Sequence, residues 1–570
     1  MSVKVHKYGI YLITFEVQKR IFRQLTNSIT TMFNAFKLGF LLFLSLPFAN
    51  LFAQKLSIEK TYEITGKANR GFLGDIHIDE SAGVVELTYC TKSNDRVAKF
   101  ETYVFDTEFN FKEMRTEELE FEKARTKFKW FRYKGDKYVV EAISVESNLV
   151  GTLVLKKKLI TYDWNWFWGG YDKNVKLLEK VKPKNDEGNK YYLHKKAEND
   201  QTGEVLVIVG EKQQGKGANP FAYATNFSAL VINKDLDIVQ TKEFKFDCPQ
   251  TIVRAVLVNK TDADADEDSD DISESDLALV FAPMGGAGTK KIADPNPGNY
   301  TYIKVQNDAE ILQRTSINSP NAAWAISSIA VVNGQTFIYG PAKEEDAYAN
   351  QTLIGDLDAM KWKAFQIAKL NSSTVDWVSA PLIDEFEDKT KGGPNQKRIP
   401  AYKGKKFRPA GIVVGTDDIF ILGQNFKVDD SGVRAYTDPI MFHFNGTGSL
   451  KAQYGLRREE NNAAAKFSPC MQEIILSNDG KSVYWMIGEI KGLREDRELG
   501  NSKYKVLLYP NVAKVELGSA TIGDFQFFGQ EKYFLNNSVP FLPIDEARSV
   551  VFFGESKNGR TLWFGKMPTD

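Results

Sequence analysis

The 570-residue sequence predicts an all-β fold made of repeated four-stranded units, and three observations carry that expectation. One short pattern, an apolar run, a polar turn and a second apolar run, recurs along the chain. Aromatic residues make up 12% of the sequence, with 39 Phe and 23 Tyr spread over its whole length, as many short strands with bulky cross-strand partners require. Helical periodicity of useful length is missing beyond the N-terminal segment, and the best helical candidate, 350–365, is short.

The recurring pattern is clearest in "ILSNDGKSVYWMIG", Ile475 to Gly488, where Asn478, Asp479 and Gly480 form the turn. Related hairpins begin at Ile76, Trp130, Tyr191, Ile329, Ile412 and Phe541. An eighth, split by an acidic insertion, runs from Ile252 to Lys260 and resumes at Ser275. A repeat spacing of this kind implies stacked or radial supersecondary units. After each hairpin comes a variable loop, then a third strand with an Asp, Asn or Gly turn into a fourth, as in the segments starting at Thr102, Ala229, Tyr302 and Met441. Four-stranded units repeated radially make a β-propeller, here of eight blades, or seven if one hairpin is misread. The ends suit closure. The segment from Arg560 supplies a third strand without a fourth, and "KLSIEKTYEI" from Lys55 is a lone strand without a hairpin partner. Pairing the two protects edges that otherwise invite aggregation.

The turn in "LSNDGKSVYW", Leu476 to Trp485, resembles the Ser-x-Asp-Gly-Lys turn of WD40-like propeller repeats in the periplasmic translocation protein of the Tol system and its relatives. The resemblance covers about ten residues of one blade. It implies a propeller and carries no function, because the motif serves the turn.

Residues 1–53 read as an N-terminal extension and an export signal, with Met32 a plausible true start. Lys37 precedes an apolar core from Leu38 to Ala49, interrupted at Pro47, and small Ala53 marks the expected cleavage point. About twelve apolar residues are too few to span a bilayer, so the mature chain, a single propeller domain over 55–570, is expected to have no transmembrane span and to be periplasmic or extracellular. Removing 1–53 deletes six basic residues and one acid, which turns 74 against 74 into 68 basic against 73 acidic residues, a net charge of −5. That balance gives no reason to expect nucleic acid. Cys90, Cys248 and Cys470 are far apart and odd in number, and read as small buried hydrophobes.

A propeller presents two loop faces. The connections between second and third strands, and from fourth strand to next first strand, are the long ones here: 213–226, 283–300, 341–360 and 489–503. Long loops on a regular scaffold are where function concentrates. The segment Asn395 to Pro409 belongs to that face and carries Lys397, Arg398, Lys403, Lys405, Lys406 and Arg408 with no acid, a pattern suited to an acidic glycan, a phosphate or an acidic partner, or to plain solvation. Trp164, Trp166 and Trp168 alternate, so an extended backbone sets them on one side, where indoles stack on sugars, meet a partner, or pack between blades. The acidic run Asp262 to Asp276 lacks the turn glycine and closing Glu of a calcium loop and reads as a solvated insertion, with loose calcium capture as the alternative. No other cofactor or metal is expected.

No nucleophile elbow, phosphate loop or His pair of ligand spacing occurs, and His77, His194 and His443 fall in three separate blades. The expectation is therefore an exported, non-catalytic binding or scaffold propeller with a protein or glycan partner in the cell envelope. The alternative is a secreted glycan-active enzyme with two carboxylates converging at the propeller centre.

Overall fold

Strand pairing sorts the described strands into seven sheets, antiparallel apart from the short parallel pairing of Thr390–Lys391 with Gln453 and Tyr454, and the two largest sheets each join two of the units described below. The structure, a computed structural model, describes residues 55–570 except 94–96, 121–124, 127–128, 131, 135–136, 166–169, 200, 212–222, 260–271, 274, 286–293, 344–347, 354–355, 430–431, 459–464, 499–500 and 547. The export signal and its cleavage point lie outside the described residues. No described helix is long and apolar enough to cross a membrane.

Unit 1 comprises Phe72–Asp79, Val84–Ser93, Val97–Asp106 and Phe111–Glu120. Unit 2 comprises Arg132–Lys134, Lys137–Ser147, Leu153–Asn165 and Gly170–Val181. Units 3 and 4 share one long strand, Ile238–Asn259, whose first half pairs back onto Tyr223–Ile232 and whose second half pairs onto Ser275–Pro283. Unit 5 starts at Ser328–Val332, unit 6 at Phe407–Val414 and unit 7 at Met471–Leu476. Unit 8 is built from Phe541–Ile544, Ser549–Ser556 and Thr561–Pro568. Its fourth strand is Ile58–Glu63, which runs antiparallel to Thr561–Pro568 in the register Ile58 with Lys566 through Glu63 with Thr561.

Why these sheets stack face to face is legible in the second strands. Val205–Gly210 and Ser275–Pro283 are buried at every position, so both faces of the sheet meet protein. Because side chains alternate sides along a strand, one strand feeds two cores. Val205, Val207 and Val209 pack with Leu153 and Leu155 of unit 2, whereas Leu206 and Ile208 pack with Leu277, Leu279 and Phe281 of unit 4. The same division recurs in unit 6, where Ile419 and Ile421 face unit 5 and Phe420 and Leu422 face unit 7. In unit 8, Val551 and Phe553 join Val85, Leu87 and Phe105 of unit 1, while Val550 and Phe552 face unit 7. First strands of neighbouring units also touch: the second half of Ile238–Asn259 meets Ser328–Val332, which meets Phe407–Val414. Sheets stacked face to face in sequence order from unit 2 to unit 8, with unit 8 packed on unit 1, have the packing of a β-propeller.

Two sequence expectations need correction. The segment 489–503 is no open loop: Ser482–Glu498 and Asn501–Glu516 pair continuously to the tip, giving a long β-ribbon. It lies on unit 8, where Val506 exchanges hydrogen bonds with the Asn537 side chain and Lys505 reaches Glu555 at 2.7 Å. The strand-forming residues Ile490, Leu493, Val506 and Leu508 outweigh the charged tip. The helical candidate 350–365 yields only Ala349–Thr352, because Ala364–Leu370 is a strand that completes the sheet of unit 5.

The Asn478–Gly480 turn behaves as its residues require. Gly480 adopts φ +68°, and Asp479 accepts hydrogen bonds from the Lys481 amide at 3.0 Å and the Ser477 hydroxyl at 2.7 Å. Those bonds hold the Asp479 carboxyl below its ordinary range. Asn478 in turn grips the last residues, bonding Thr569 O at 2.9 Å and Asp570 Oδ1 at 2.7 Å. All three cysteines are free and buried.

Candidate functional site: a cationic cavity at the start of three first strands

The chemistry-bearing part of the chain begins with a turn. Before Phe407–Val414 the chain reads Lys403-Gly404-Lys405-Lys406, and it must reverse sharply to enter the sheet. Gly404 has φ +74°, and a side chain there would strike the Trp362 carbonyl at 2.5 Å. The close approach is used, since the Trp362 amide donates to Gly404 O at 2.7 Å. Lys406 also lies in the left-handed region, at φ +51°, and its carbonyl accepts from the Phe426 amide at 2.9 Å. A lysine held there is strained relative to glycine, by on the order of 1 kcal/mol.

The long connection ahead of this turn is pinned by Gln453, which is fully buried in unit 6. Its carbonyl accepts from the Tyr402 amide at 3.0 Å, and its amide donates to Phe386 O at 2.7 Å and Thr390 Oγ1 at 2.8 Å. Tyr402 is thereby fixed as a wall, and burial raises its hydroxyl above the ordinary range.

Tyr402, Lys406 and Arg408 line a cavity of about 320 Å³ between units 4, 5 and 6. Arg254 comes from the first strand of unit 4, Ile326 and Ser327 from the approach to unit 5, and Asp358 and Trp362 from the connection between the second and third strands of unit 5. Phe426 and Arg434 complete it from unit 6. These positions all belong to the face of the long connections. Among the described residues of the lining, four cationic side chains, Arg254, Lys406, Arg408 and Arg434, accompany one carboxylate, Asp358.

Asp358 and Arg434 are paired in a fork. Arg434 Nε donates to Asp358 Oδ2 at 2.7 Å and Nη2 to Oδ1 at 2.9 Å. The guanidinium carbon also sits 4.9 Å from the centre of the Phe426 ring, within cation–π range. Asp358 is itself held by its turn, its amide donating to Asp356 Oδ1 at 2.9 Å. Arg408 Nη1 donates to the Tyr436 hydroxyl at 2.8 Å. The arrangement is preorganised to receive negative charge.

The basic segment does not act as one patch. Lys406 and Arg408 line the cavity, while Lys405 is exposed outside its lining and Lys403 pairs with Glu387 at 3.0 Å. Lys397 and Arg398 are exposed in the part of the segment anchored to unit 7, where Asn395 binds Asp524 through its amide at 2.9 Å and its side chain at 2.5 Å. Trp164 lies near the end of Leu153–Asn165, its backbone opposite Tyr171, and Trp166 and Trp168 lie outside the described residues. Most of the acidic run, 260–271, also lies outside them. Its end does not: Ile272 is fully buried, and Asp276 sits in a strand 3.6 Å from Lys304.

Sequence reasoning missed Arg254, Arg434 and Asp358. Arg254 sits in an apolar first-strand run, and Arg434 follows a Gly432 turn in another unit, so nothing in the linear pattern links them. The available signal was positional: Arg434 opens a third strand, Arg254 lies in the first strand of unit 4, and Asp358 lies in the long connection of unit 5.

A second cavity, of about 530 Å³, opens on the opposite face between units 5 and 6, lined by Lys369, Asp417, Asn445 and Thr447 among others. Among the described residues, the lining of the first cavity includes the carboxylate Asp358 and that of the second Asp417. Among the described residues no cluster of three or more potential metal ligands occurs.

No family model matches the chain, and no curated relative matches it. Solved structures similar to it include Drosophila Plexin A in complex with Semaphorin 1b, at 9% identity, 75% of this chain and 85% of that chain, with a TM-score of 0.22. A member of the DUF4221 family from Bacteroides vulgatus is 10% identical over 67% of this chain and 94% of that chain, with a TM-score of 0.22. A GH43 β1,3-galactosidase is 10% identical over 61% and 97%, with a TM-score of 0.21. Likeness at these values carries no argument about activity, and the fold rests on the strand pairing and packing above.

Proposed function

We propose that the chain is an exported binding propeller of the cell envelope that takes an acidic ligand, a glycan or an acidic partner segment, on its long-connection face. On this reading the eight units are the blades of a ring closed by the terminal strands. The observation that carries the proposal is the convergence of Lys406 and Arg408 with Arg254 and Arg434 around one carboxylate, among the described residues of the cavity shared by units 4, 5 and 6. Guanidinium groups recognise carboxylate and phosphate through paired hydrogen bonds, and a partly enclosed site strengthens that attraction over its value in water. A cavity of about 320 Å³ suits a ligand of one or two sugar units or a short side-chain cluster.

The test is binding of the propeller domain, 55–570, to immobilised polygalacturonate and to a neutral galactan, at low and at physiological salt. Retention on the acidic polymer alone, lost when Lys405, Lys406 and Arg408 are changed to Glu, is the expected result. Equal retention of the triple variant would overturn the assignment. Cleavage of either polymer by the wild-type chain would favour the glycan-active enzyme instead.

A further inference from the structure

Arg408 is directed by a residue outside the described lining of the cavity. Its Nη1 donates to the Tyr436 hydroxyl at 2.8 Å. A guanidinium carries its five N–H donors in one rigid plane, so a single bond to a fixed acceptor restricts where the others point. Tyr436 is such an acceptor. It is buried and lies two residues after Arg434 in the strand Arg434–Asn445, opposite Phe426, whose ring meets its own edge-on at 6.4 Å. Arg434, over the same Phe426 ring, is held above its ordinary range by Asp358 first and by Tyr436 to a lesser degree. The hydroxyl thus bears on both guanidinium groups.

The backbone that carries Tyr436 is tied to the approach to unit 7. Arg458 is a buried arginine of the connection that leads to Met471–Leu476, and it donates to Tyr436 O at 3.1 Å. The same guanidinium binds Ala465 O at 2.8 Å and Ser468 O at 3.2 Å, within its own connection. Buried Gln424 donates to the next carbonyl, Thr437 O, at 2.7 Å and accepts from the Cys470 amide at 2.8 Å. A hydroxyl on a strand held in this way does not follow a moving side chain. The arginine is the partner that conforms.

We propose that Tyr436 is a positioning residue of the cationic cavity, its hydroxyl holding the Arg408 guanidinium in the direction from which an anionic ligand is bound. This rests on the binding reading above and adds to it a residue that touches no ligand and on which the strength of binding depends. An arginine already restrained loses less conformational freedom when the ligand arrives, so the bond to Tyr436 favours binding by preorganisation.

The experiment is a double-mutant cycle, read by calorimetric titration of residues 55–570 with trigalacturonate. Wild type, Tyr436→Phe, Arg408→Gln and Lys406→Gln are compared with the two double variants that join Tyr436→Phe to Arg408→Gln or to Lys406→Gln. Phenylalanine keeps the ring against Phe426 and removes the hydroxyl alone, and thermal melting of each variant checks folding. Tyr436→Phe is expected to weaken binding about fivefold in wild type and in Lys406→Gln, and by less than about 1.5-fold in Arg408→Gln, where no guanidinium is left to direct. Affinity unchanged by Tyr436→Phe, or weakened equally in all three backgrounds, would overturn the positioning role while leaving the binding reading intact. A wild-type chain that does not bind, or an Arg408→Gln variant that binds as well as wild type, would remove the binding reading and the positioning role with it.

Discussion

Trp563, in the third strand of unit 8, donates its indole N–H to Glu59 Oε1 at 2.9 Å, across 504 residues of sequence. Gln530 bonds the same oxygen at 3.0 Å. The N-terminal strand is thus joined to the last sheet by its backbone ladder and by a side-chain anchor. Trp563 is almost fully buried, so loss of its partner leaves a desolvated donor. Glu59→Ala is expected to lower stability by about 1 to 2 kcal/mol in denaturant titration. Deleting 55–64 removes the whole fourth strand of unit 8 and is expected to lower the melting temperature by well over 10 °C. A truncated chain that melts at the original temperature contradicts that role for the terminal strand.

Burial governs the pH response. His443 is fully buried, with Nε2 2.6 Å from Asp418 Oδ1 and Nδ1 3.1 Å from the Tyr454 hydroxyl, and Lys451 also binds Asp418 at 2.8 Å. Desolvation pushes its pKa down to about 4, outweighing the opposing pull of Asp418. Burial pushes His194 down to about 4 as well. Both are neutral when folded, and the unfolded chain takes up protons below its ordinary value of about 6.5. Their contribution to stability is therefore complete above pH 6.5, falls as pH drops toward 4, and levels off below. The slope is on the order of 1 kcal/mol per pH unit for each histidine. His443→Gln should reduce the slope of stability against pH between 6.5 and 4.5. An unchanged slope would show that His443 titrates normally.

The acidic insertion divides in two. Replacing 262–270 with a two-residue Asn-Gly turn should leave melting unchanged, since loop length costs little. Extending the replacement to Asp276 removes Ile272, which is packed in the core between units 3 and 4, and should cost about 2 to 4 kcal/mol. A calcium-dependent rise in melting temperature, lost in the shorter replacement, would show that the insertion binds the ion.

Lys406 trades stability for charge. At φ +51° glycine is the less strained residue, so Lys406→Gly should match wild-type stability or exceed it by up to about 1 kcal/mol, while retention on polygalacturonate falls. A destabilised variant would mean that the lysine stem, and not its charge, is what the turn needs.

The legible part of this chain was its strands. Hairpins announce themselves by two apolar runs around a turn such as Asn478–Gly480, and each proposed pair, from Ile76 to Phe541, is paired in the structure. The cavity was legible in part. Lys406 and Arg408 stand out because they share one acid-free segment, whereas Arg254, Asp358 and Arg434 come from three units and meet only because neighbouring units bring their strands and connections together. Radial proximity leaves no trace in local pattern. The ribbon 489–503 was misread for a related reason: its charged tip obscures strand pairing that depends on Leu493 and Val506 packing against unit 8 and its neighbours.

The most direct test of the account is hydrogen–deuterium exchange of residues 55–570 with and without saturating trigalacturonate. Protection confined to 325–328, 356–362, 402–409 and 426–434, the backbone around the cationic cavity, is the predicted result. Protection at 414–417 and 445–447 on the opposite face, or no change at the cavity while ligand is bound, would contradict it.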